Sequence, residues 1–493
     1  MVAVHPKARS TVDSPLRPHA VTPILDRRRP TLPRLSTAPT VAAIVPARNE
    51  QDTVGASIAA LLDQTRPPDS IFVVVNNSTD DTYDRARRFT GRRTLDRPGG
   101  RVACAVTVID IGTNDDRRAG ALNFAWSLAR HHDFVLTVDA DSALAPDGLR
   151  TLLADLSVNE GLGAVTAVPS LLRPPAHPGD RHSSRLLVRA QRFEVTTQAL
   201  RSVARSGRVP ISVGQCSLFR TSALGDVVVA AGRPGPWGPG NGAEDARLRI
   251  DLDEAGFATG VSDGARSSAA AMRTARGVRA QQVKRVAGLQ RLGRELPAAS
   301  RLSRRFEWRS GLAGHLVSRL LFVLLVSHAL VTGTVAGQWW WIVPSLITVL
   351  VSLRVVAAMP DRSAADIVYA LLYLPHEIYR TALSLSHVIA VVHESAGCAR
   401  DHGADQAAAE CGERVRVTGP APVMLVAVGA AALVVLLGWL ALPGVLGGTI
   451  VAAGWLALGL LGIGQSLAEL RTLVGRPRLP VLTVPSLRAV VPR

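Results

Sequence analysis

The chain has 493 residues, 47% of them apolar and 4% aromatic, with 56 Lys and Arg against 39 Asp and Glu, a formal charge of +17. So apolar a chain is neither disordered nor collagen-like. Its four cysteines, Cys104, Cys216, Cys398 and Cys411, form no CxxC pair, which excludes a disulfide scaffold and reads as reduced, structural thiols. The excess charge is concentrated: residues 1–40 hold seven basic and two acidic side chains, and residues 265–310 hold twelve and two. Nearly every cation is Arg, since Lys occurs only at positions 7 and 284. Such a belt suits nucleic acid, anionic lipid or a phosphorylated substrate.

Residues 1–40 are rich in Pro and Arg, lack the apolar run of a secretory signal, and read as a disordered segment. From 41 to about 300 strand and helix patterns alternate. Short apolar runs at Val41–Val45, Ile71–Val75, Val106–Ile109, Phe134–Val138 and Ala164–Val168 predict strands. Segments with helical periodicity fall between them at about 52–64, 80–89, 117–130 and 147–156, and another covers 183–204 as a packed amphipathic helix. This alternation predicts an α/β domain with a mixed, mostly parallel sheet and helices on both faces. Ligands of such sheets lie beyond the carboxyl ends of the strands.

Polar residues stand at those ends. The first strand runs into Pro46, Arg48, Asn49 and Glu50, the second into Asn76, Asn77, Ser78, Thr79 and Asp80. A later strand runs straight into Asp139-Ala140-Asp141. Two carboxylates one residue apart at a strand end suit one divalent cation, Mg2+ or Mn2+, shared with a substrate diphosphate. Further on, Glu244-Asp245 opens a helix expected to begin near Ala246, after the Gly-rich stretch 238–242.

Beyond the basic belt, no charged residue occurs from Leu320 to Leu353 or from Val417 to Ala468. Each run is broken midway by turn residues and is long enough for two spans of ~20 residues. Spans are expected at roughly 312–332, 339–358, 422–442 and 449–468, by that length rule. The positive-inside rule then places both termini and the large N-terminal domain in the cytoplasm, at the cell membrane. Residues 365–393, with Asp366, Pro375, Glu377 and Arg380, read as amphipathic helices in the interface, and His376, His387 and His393 as interfacial polar residues. The expected organisation is 1–40, a domain at 41–300, a first hairpin with interfacial helices at 301–393, a loop at 394–420, a second hairpin at 421–470 and a tail at 471–493. A belt that abuts a span and lacks interleaved aromatics matches anionic lipid rather than nucleic acid.

Asn49-Glu50, the Asn76–Thr82 loop, Arg118-Ala119-Gly120-Ala121-Leu122-Asn123, Asp139-Ala140-Asp141 and Glu244-Asp245 stand in the order and spacing of family-2 glycosyltransferases. Residues 41–286 resemble that family, with hairpins like those of its membrane-bound bacterial members. The resemblance implies a GT-A fold, a nucleotide-diphosphate sugar donor, a UDP-sugar first among them, and inversion at the anomeric carbon. It places Pro46, Arg48, Asn49, Glu50, Asn76, Asn77, Arg118, Asn123 and Asp139 around the donor. Asp139 and Asp141 would hold the metal, and Asp245 would be the general base. Gln282 and Arg285, in a stretch similar to a QxxRW signature, would approach the diphosphate. Gly214, Gln215, Glu244 and Val286 would face the acceptor. This chain departs from the pattern with Asn where many members carry Asp at 76 or 77, Arg118 for Lys, and Val286 for the Trp of processive synthases. The expected activity is therefore one or a few transfers to a lipid or glycan acceptor at the membrane. The rivals are a processive polysaccharide synthase and a non-catalytic nucleotide-sugar-binding scaffold.

Overall fold

The computed structural model describes residues 39–97, 100–173, 182–204, 215–238, 243–295, 342–372, 375–383 and 456. The chain divides into two units, Met1–Pro39 and Thr40–Arg493, and of the first only Pro39 is described. The expected N-terminal segment, the spans at 312–332, 422–442 and 449–468, the loop at 394–420, the tail, Gly214 and residues 239–242 thus lie outside the described residues, Leu456 apart.

Strand β1 (Val41–Ala47) is buried along its whole length. Successive side chains of a strand point to opposite faces, and here both faces are covered. Val41, Ala43 and Val45 share a core with Val54, Ile58 and Leu61 of α1 (Val54–Leu62) and with Leu149, Leu152 and Leu156 of α4 (Gly148–Val158). Ala42 and Ile44 join the opposite core, with Leu122 and Trp126 of α3 (Arg117–Ala129), Leu224 of α6 (Thr221–Ala231) and Leu248 of α7 (Glu244–Glu254). A strand buried on both sides loses its alternation and reads as a continuous apolar run.

Strand β1 pairs in parallel with β2 (Ser70–Val75) and β5 (Phe134–Val138), and β2 with β4 (Gly100–Asp110). Antiparallel β8 (Cys216–Arg220) joins β5 to β7 (Leu162–Leu172), which runs parallel to β9 (Ala258–Ala270). With β3 (Gly91–Arg97) antiparallel on β4 and the short β6 (Ser142–Leu144) on β9, the order is β3-β4-β2-β1-β5-β8-β7-β9-β6. The five expected strands and four expected helices are present, and the sheet is mixed and mostly parallel in its first half. Sequence periodicity missed β3, whose Arg92, Arg93 and Arg97 sit on an edge strand open to solvent, where no apolar face is required. It also missed β9 and α6, and α7 starts at Glu244 rather than near Ala246.

The long helix α5 (His182–Ala204) packs Ala190, Phe193 and Leu200 against Val355 and Val356 of α9 (Ile342–Ala358) and Tyr369 of α10 (Ala364–Leu372). Helix α8 (Ala275–Glu295) precedes them, and residues 375–383 are also helical. Helix α9 covers most of the second expected span, yet among the described residues no helix is long and apolar enough to cross a membrane. Helix α10 turns its polar side inward. Asp366, 2% exposed, accepts from Ser363 N–H and hydroxyl (both 2.9 Å) and meets Arg173, Arg189 and Arg192 at 3.1, 3.3 and 3.4 Å. Burial opposes its ionisation, but these partners hold it below the usual carboxylate range. Arg192 also donates to Pro360 O and Asp361 O, and Arg266 to Ala358 O, so guanidinium groups close the carbonyl end of α9.

Replacing Asp366 with Ala strands the buried Arg192 without its carboxylate. A buried ion pair broken from one side costs about 3–5 kcal/mol, so D366A is expected to unfold at a clearly lower temperature than the parent, with D366N intermediate.

Candidate active site

The carboxyl ends of β1, β2 and β5 meet at one edge of the sheet, and the loops leaving them are laced together. Asn49, at a left-handed φ of 53° that Asn tolerates, accepts at Oδ1 from Thr79 N (2.9 Å), and its own N–H donates to Ser78 Oγ (3.1 Å). Glu50 N donates to Thr82 Oγ1 at 2.7 Å and Gln51 N to Asp80 at 3.2 Å. Arg48 Nε reaches Asn77 O at 3.4 Å. Pro46 lies within buried β1.

Asn77, also left-handed at φ 50°, gives both ends of its amide to one backbone unit. Its Nδ2 donates to Asn114 O and its Oδ1 accepts from Asn114 N, both at 2.8 Å. Asn114 in turn donates through Nδ2 to Arg117 O (2.7 Å) and accepts from Asp116 N (3.1 Å). This relay fixes the first turn of α3, and with it Arg118. Asn76 is 2% exposed and donates through Nδ2 to Ala47 O (3.3 Å), while its buried Oδ1 meets no donor among the described residues. Of Asn76 and Asn77, both expected at the donor, Asn77 is thus a clasp and Asn76 keeps an open acceptor.

Arg118 joins the two motifs. Its Nη2 donates to Asp139 Oδ1 at 2.8 Å and its Nη1 to Asp245 Oδ1 at 3.0 Å. Burial opposes its charge, but Asp139, Asp245 and Glu244 outweigh that, and it is held firmly protonated. The turn after β5 is fixed by Asp139 N donating to Gln215 O (2.9 Å) and Ser142 N to Asp139 O (2.9 Å). The Ser142 hydroxyl donates to Asp141 Oδ1 at 3.1 Å.

The local electrostatics are strongly acidic. Burial, then repulsion from Asp139, raises Asp141 above the usual range. Burial raises Glu50 to about 7, with Asp141, Asp139 and Asp80 adding to it against the Thr53 hydroxyl. Asp245 stands at about 6: burial pushes it up, Arg118 pulls it down, and Asp139 and Glu244 add to the rise. Among the described residues no group of three or more His, Cys, Asp or Glu is arranged to hold a metal by itself. Asp139 and Asp141 still fit one, since Mg2+ and Mn2+ take one or two carboxylates and complete their shell with substrate phosphate and water. Asp141 is raised by burial and by Asp139 despite Arg118, which fits a site where a cation supplies further positive charge.

Asn123, expected at the donor, is bonded through its side chain to the Trp237 backbone. Its Nδ2 donates to Trp237 O (2.8 Å) and its Oδ1 accepts from Trp237 N (3.0 Å), so both polar atoms clamp the loop that leads to Asp245. Trp237 is buried edge-on to Phe219, with ring centroids 6.0 Å apart. Gly235 fits closely: a Cβ there would lie 2.3 Å from Asn123 Oδ1. Asp251 in α7 ties the same loop down through Arg233 and Arg247.

Gln215, expected on the acceptor side, has a buried Oε1 that meets no donor among the described residues. Gln282, half-buried, shares one face of α8 with positions 285 and 286, while the side chains of Arg285 and Val286 lie outside the described residues. Lys284, which sequence reasoning passed over, feels Glu244 and also Arg48, Arg117 and Arg118, which sets α8 beside the site. Its signal was compositional, as one of only two lysines in the chain. Asn114 was also missed, because its contribution is a backbone clasp that no motif records.

Because the clamp works through two hydrogen bonds at a buried backbone, Asn123→Ala is expected to cost about 1–3 kcal/mol. Gly235→Ala should weaken the same contact by collision. Thermal unfolding of both variants checks this, and turnover should fall in each because the loop carrying Asp245 loosens.

Three comparisons with known proteins bear on the family of the chain. The poly-beta-1,6-N-acetyl-D-glucosamine synthase of Staphylococcus epidermidis is 26% identical over 182 residues, which is 36% of this chain and 39% of that protein. The chain thus spans about two-fifths of the length of the curated relatives it matches. Among solved structures, the mannosyltransferase PcManGT from Pyrobaculum calidifontis, in complex with GDP-Man and Mn2+, is 20% identical at a TM-score of 0.44, covering 73% of this chain and 88% of that one. The glucosyl-3-phosphoglycerate synthase of Mycobacterium tuberculosis, with Mn2+, UDP and phosphoglyceric acid, is 19% identical at a TM-score of 0.31, covering 51% and 77%. Residues 38–291, just over half of the chain, match the model of the glycosyltransferase like family 2, and the chain belongs to that family.

Proposed function

We propose that the chain transfers a sugar, with inversion, from a nucleoside-diphosphate sugar to a hydroxyl or phosphate of a membrane-associated lipid or glycan. The observation that carries this reading is the Arg118 bridge, which brings Asp245 and the Asp139 end of the acidic triplet within the reach of one guanidinium. A base and a diphosphate site held that close suit in-line displacement. Asp245 accepts the proton of an acceptor hydroxyl as its oxygen attacks the anomeric carbon, and the bond to the diphosphate breaks. Nucleoside diphosphate departs with the electron pair, and Arg118 lies where its growing charge is stabilised. Asp139 and Asp141 would hold Mg2+ or Mn2+, which supplies Lewis-acid stabilisation of that leaving group. In this reading Asn76 Oδ1, Arg48 and Glu50 would line the nucleoside site, Gln282 on α8 would serve the diphosphate, and Glu244 and Gln215 the acceptor; the roles of Arg285 at the diphosphate and of Gly214 and Val286 at the acceptor rest on the sequence resemblance alone.

The membrane part of the reading rests on the two charge-free runs and on an outward apolar surface. Leu346 and Leu350 on α9, Val368, Leu371 and Leu372 on α10, and Ile378 are all more than half exposed. The basic belt at 265–310 lies directly before the first run and suits anionic headgroups. Four spans, with both termini and the catalytic domain in the cytoplasm, complete this organisation at the cell membrane.

The Staphylococcus relative favours a second reading, a processive synthase that extends and exports a polymer. Val286, where processive members carry Trp, favours short transfer. Nucleoside-diphosphate release by the detergent-purified protein, across UDP- and GDP-sugars with Mg2+ or Mn2+ and membrane lipids, tests both. Release that requires metal and Asp245 is expected, with short products; long products establish the synthase. Binding of a nucleotide sugar without release would establish the scaffold reading instead.

Loss of the base in Asp245→Ala should slow transfer by about 10²–10⁴-fold. Asp245 must be ionised to accept a proton, and it titrates near 6 in the free protein. The ratio kcat/KM is therefore expected to be level above that pH and to fall about tenfold per unit below it. A pH–rate profile checks the limb, and an acid limb that stays level down to pH 4.5 would remove Asp245 from this role.

A further inference from the structure

Arg118 holds two carboxylates that the transfer reaction needs for other purposes. Asp139 Oδ1 is bonded to its Nη2 at 2.8 Å and Asp245 Oδ1 to its Nη1 at 3.0 Å. Both partners are partly shielded from water, Asp139 at 30% and Asp245 at 22% exposure, so neither bond is an idle surface contact. A guanidinium and a divalent cation on one carboxylate place like charges side by side, which disfavours holding both. A diphosphate, by contrast, offers the planar fork two acceptors of the kind it bonds best.

We propose that Arg118 is a displaceable counter-ion: it occupies Asp139 and Asp245 until metal and donor are present, then passes from these carboxylates to the donor diphosphate and so releases Asp245 for the acceptor. The inference rests on the donor and metal reading above. It has three consequences. Asp139 is available to a cation only as Arg118 lets go. Metal and nucleotide bind together more readily than metal does alone, because the diphosphate gives the displaced guanidinium a partner. The base becomes free to accept a proton only once a donor is in place. The relay from Asn77 through Asn114 to Arg117 keeps the α3 backbone fixed, so the change is confined to the Arg118 side chain.

The test is Mn2+ binding to the full-length, detergent-purified protein, measured from the spectrum of free Mn2+ without donor, then with UDP or GDP. Loss of a charge-assisted bond from a competing partner is worth roughly tenfold or more. Arg118→Ala is expected to bind Mn2+ alone at least about tenfold more tightly than the parent, and to lose the gain in Mn2+ affinity that the nucleotide brings. Arg118→Lys, which reaches one carboxylate at a time, should fall between them. A merely structural role for Arg118 predicts the opposite sign, weaker Mn2+ binding. Arg150→Ala serves as the control for simple loss of positive charge, since Arg150 is exposed and pairs with Asp147. Unchanged or weaker Mn2+ binding in Arg118→Ala, or equal tightening in Arg150→Ala, overturns the proposal while leaving the metal reading intact. No Mn2+ binding by any of these proteins, with or without UDP or GDP, overturns both.

Discussion

The organisation of the active edge depends on an imbalance of charge. Glu50, Asp139, Asp141, Glu244 and Asp245 converge on it from three loops, and Arg118 is the cation that bonds directly to two of them. Burial is the first cause that raises Glu50, Asp141 and Asp245, and repulsion from Asp139 adds to it in all three. A protein fold does not keep buried like charges together without compensation, and such clusters mark sites where a ligand supplies the missing charge. A divalent cation with a diphosphate meets this demand, because the cation offsets the carboxylates and the diphosphate gives the guanidinium a partner. The same cluster explains why the surrounding loops are so heavily bonded to one another: repulsion at the edge must be resisted by the backbone. The clasps at Asn49, Asn77 and Asn123 provide that resistance.

Those clasps mark the limit of what the sequence discloses. The parallel strands were legible because β1, β2 and β5 are buried on both faces and must be apolar throughout. The acidic pairs were legible because chemistry fixes their residue type and their place at strand ends. Asn77 and Asn123 also fall within recognisable motifs, yet their amides are given to Asn114 and Trp237 rather than being open to a ligand. A motif records that an amide is needed at a position; it does not record whether the partner is a nucleotide or a distant backbone. Strand β3 was invisible for a different reason, since an edge strand covered by solvent places no demand on the hydrophobic pattern.

The C-terminal helices follow a rule of their own. In a water-facing amphipathic helix the charged residues lie outward, but α10 buries Asp366 against three arginines and leaves Val368, Leu371 and Leu372 outside. Interfacial helices do carry an apolar outer face, and the inward Asp366 adds a second requirement, because burying a carboxylate is tolerated only with full pairing. The arginines that pair it come from the end of β7 and from α5, and Arg192 continues to the carbonyls of Pro360 and Asp361. The polar contacts therefore fasten the α9–α10 turn to the α/β domain, while the apolar residues stay exposed.

This arrangement bears on how an acceptor would reach the base. Helix α5 receives the α9–α10 turn on one side, and on another Gln191 binds both backbone groups of Met272 just beyond β9 (2.7 and 3.1 Å). Strands β7 and β9 run in the same sense as β5, so their carboxyl ends, where these contacts form, share the edge that carries Asp139. Helix α5 is thus one rigid element bonded both to the sheet edge and to the helices with the outward apolar face. A lipid-linked acceptor kept at a membrane by its tail would have its reactive end near that edge without leaving the bilayer. A polymer would instead need a continuous polar path and a platform for its growing end, and position 286 carries Val rather than an aromatic ring. Under the proposed function, both the placement of α5 and the Val at 286 are consistent with a lipid-borne acceptor that is extended by short transfer.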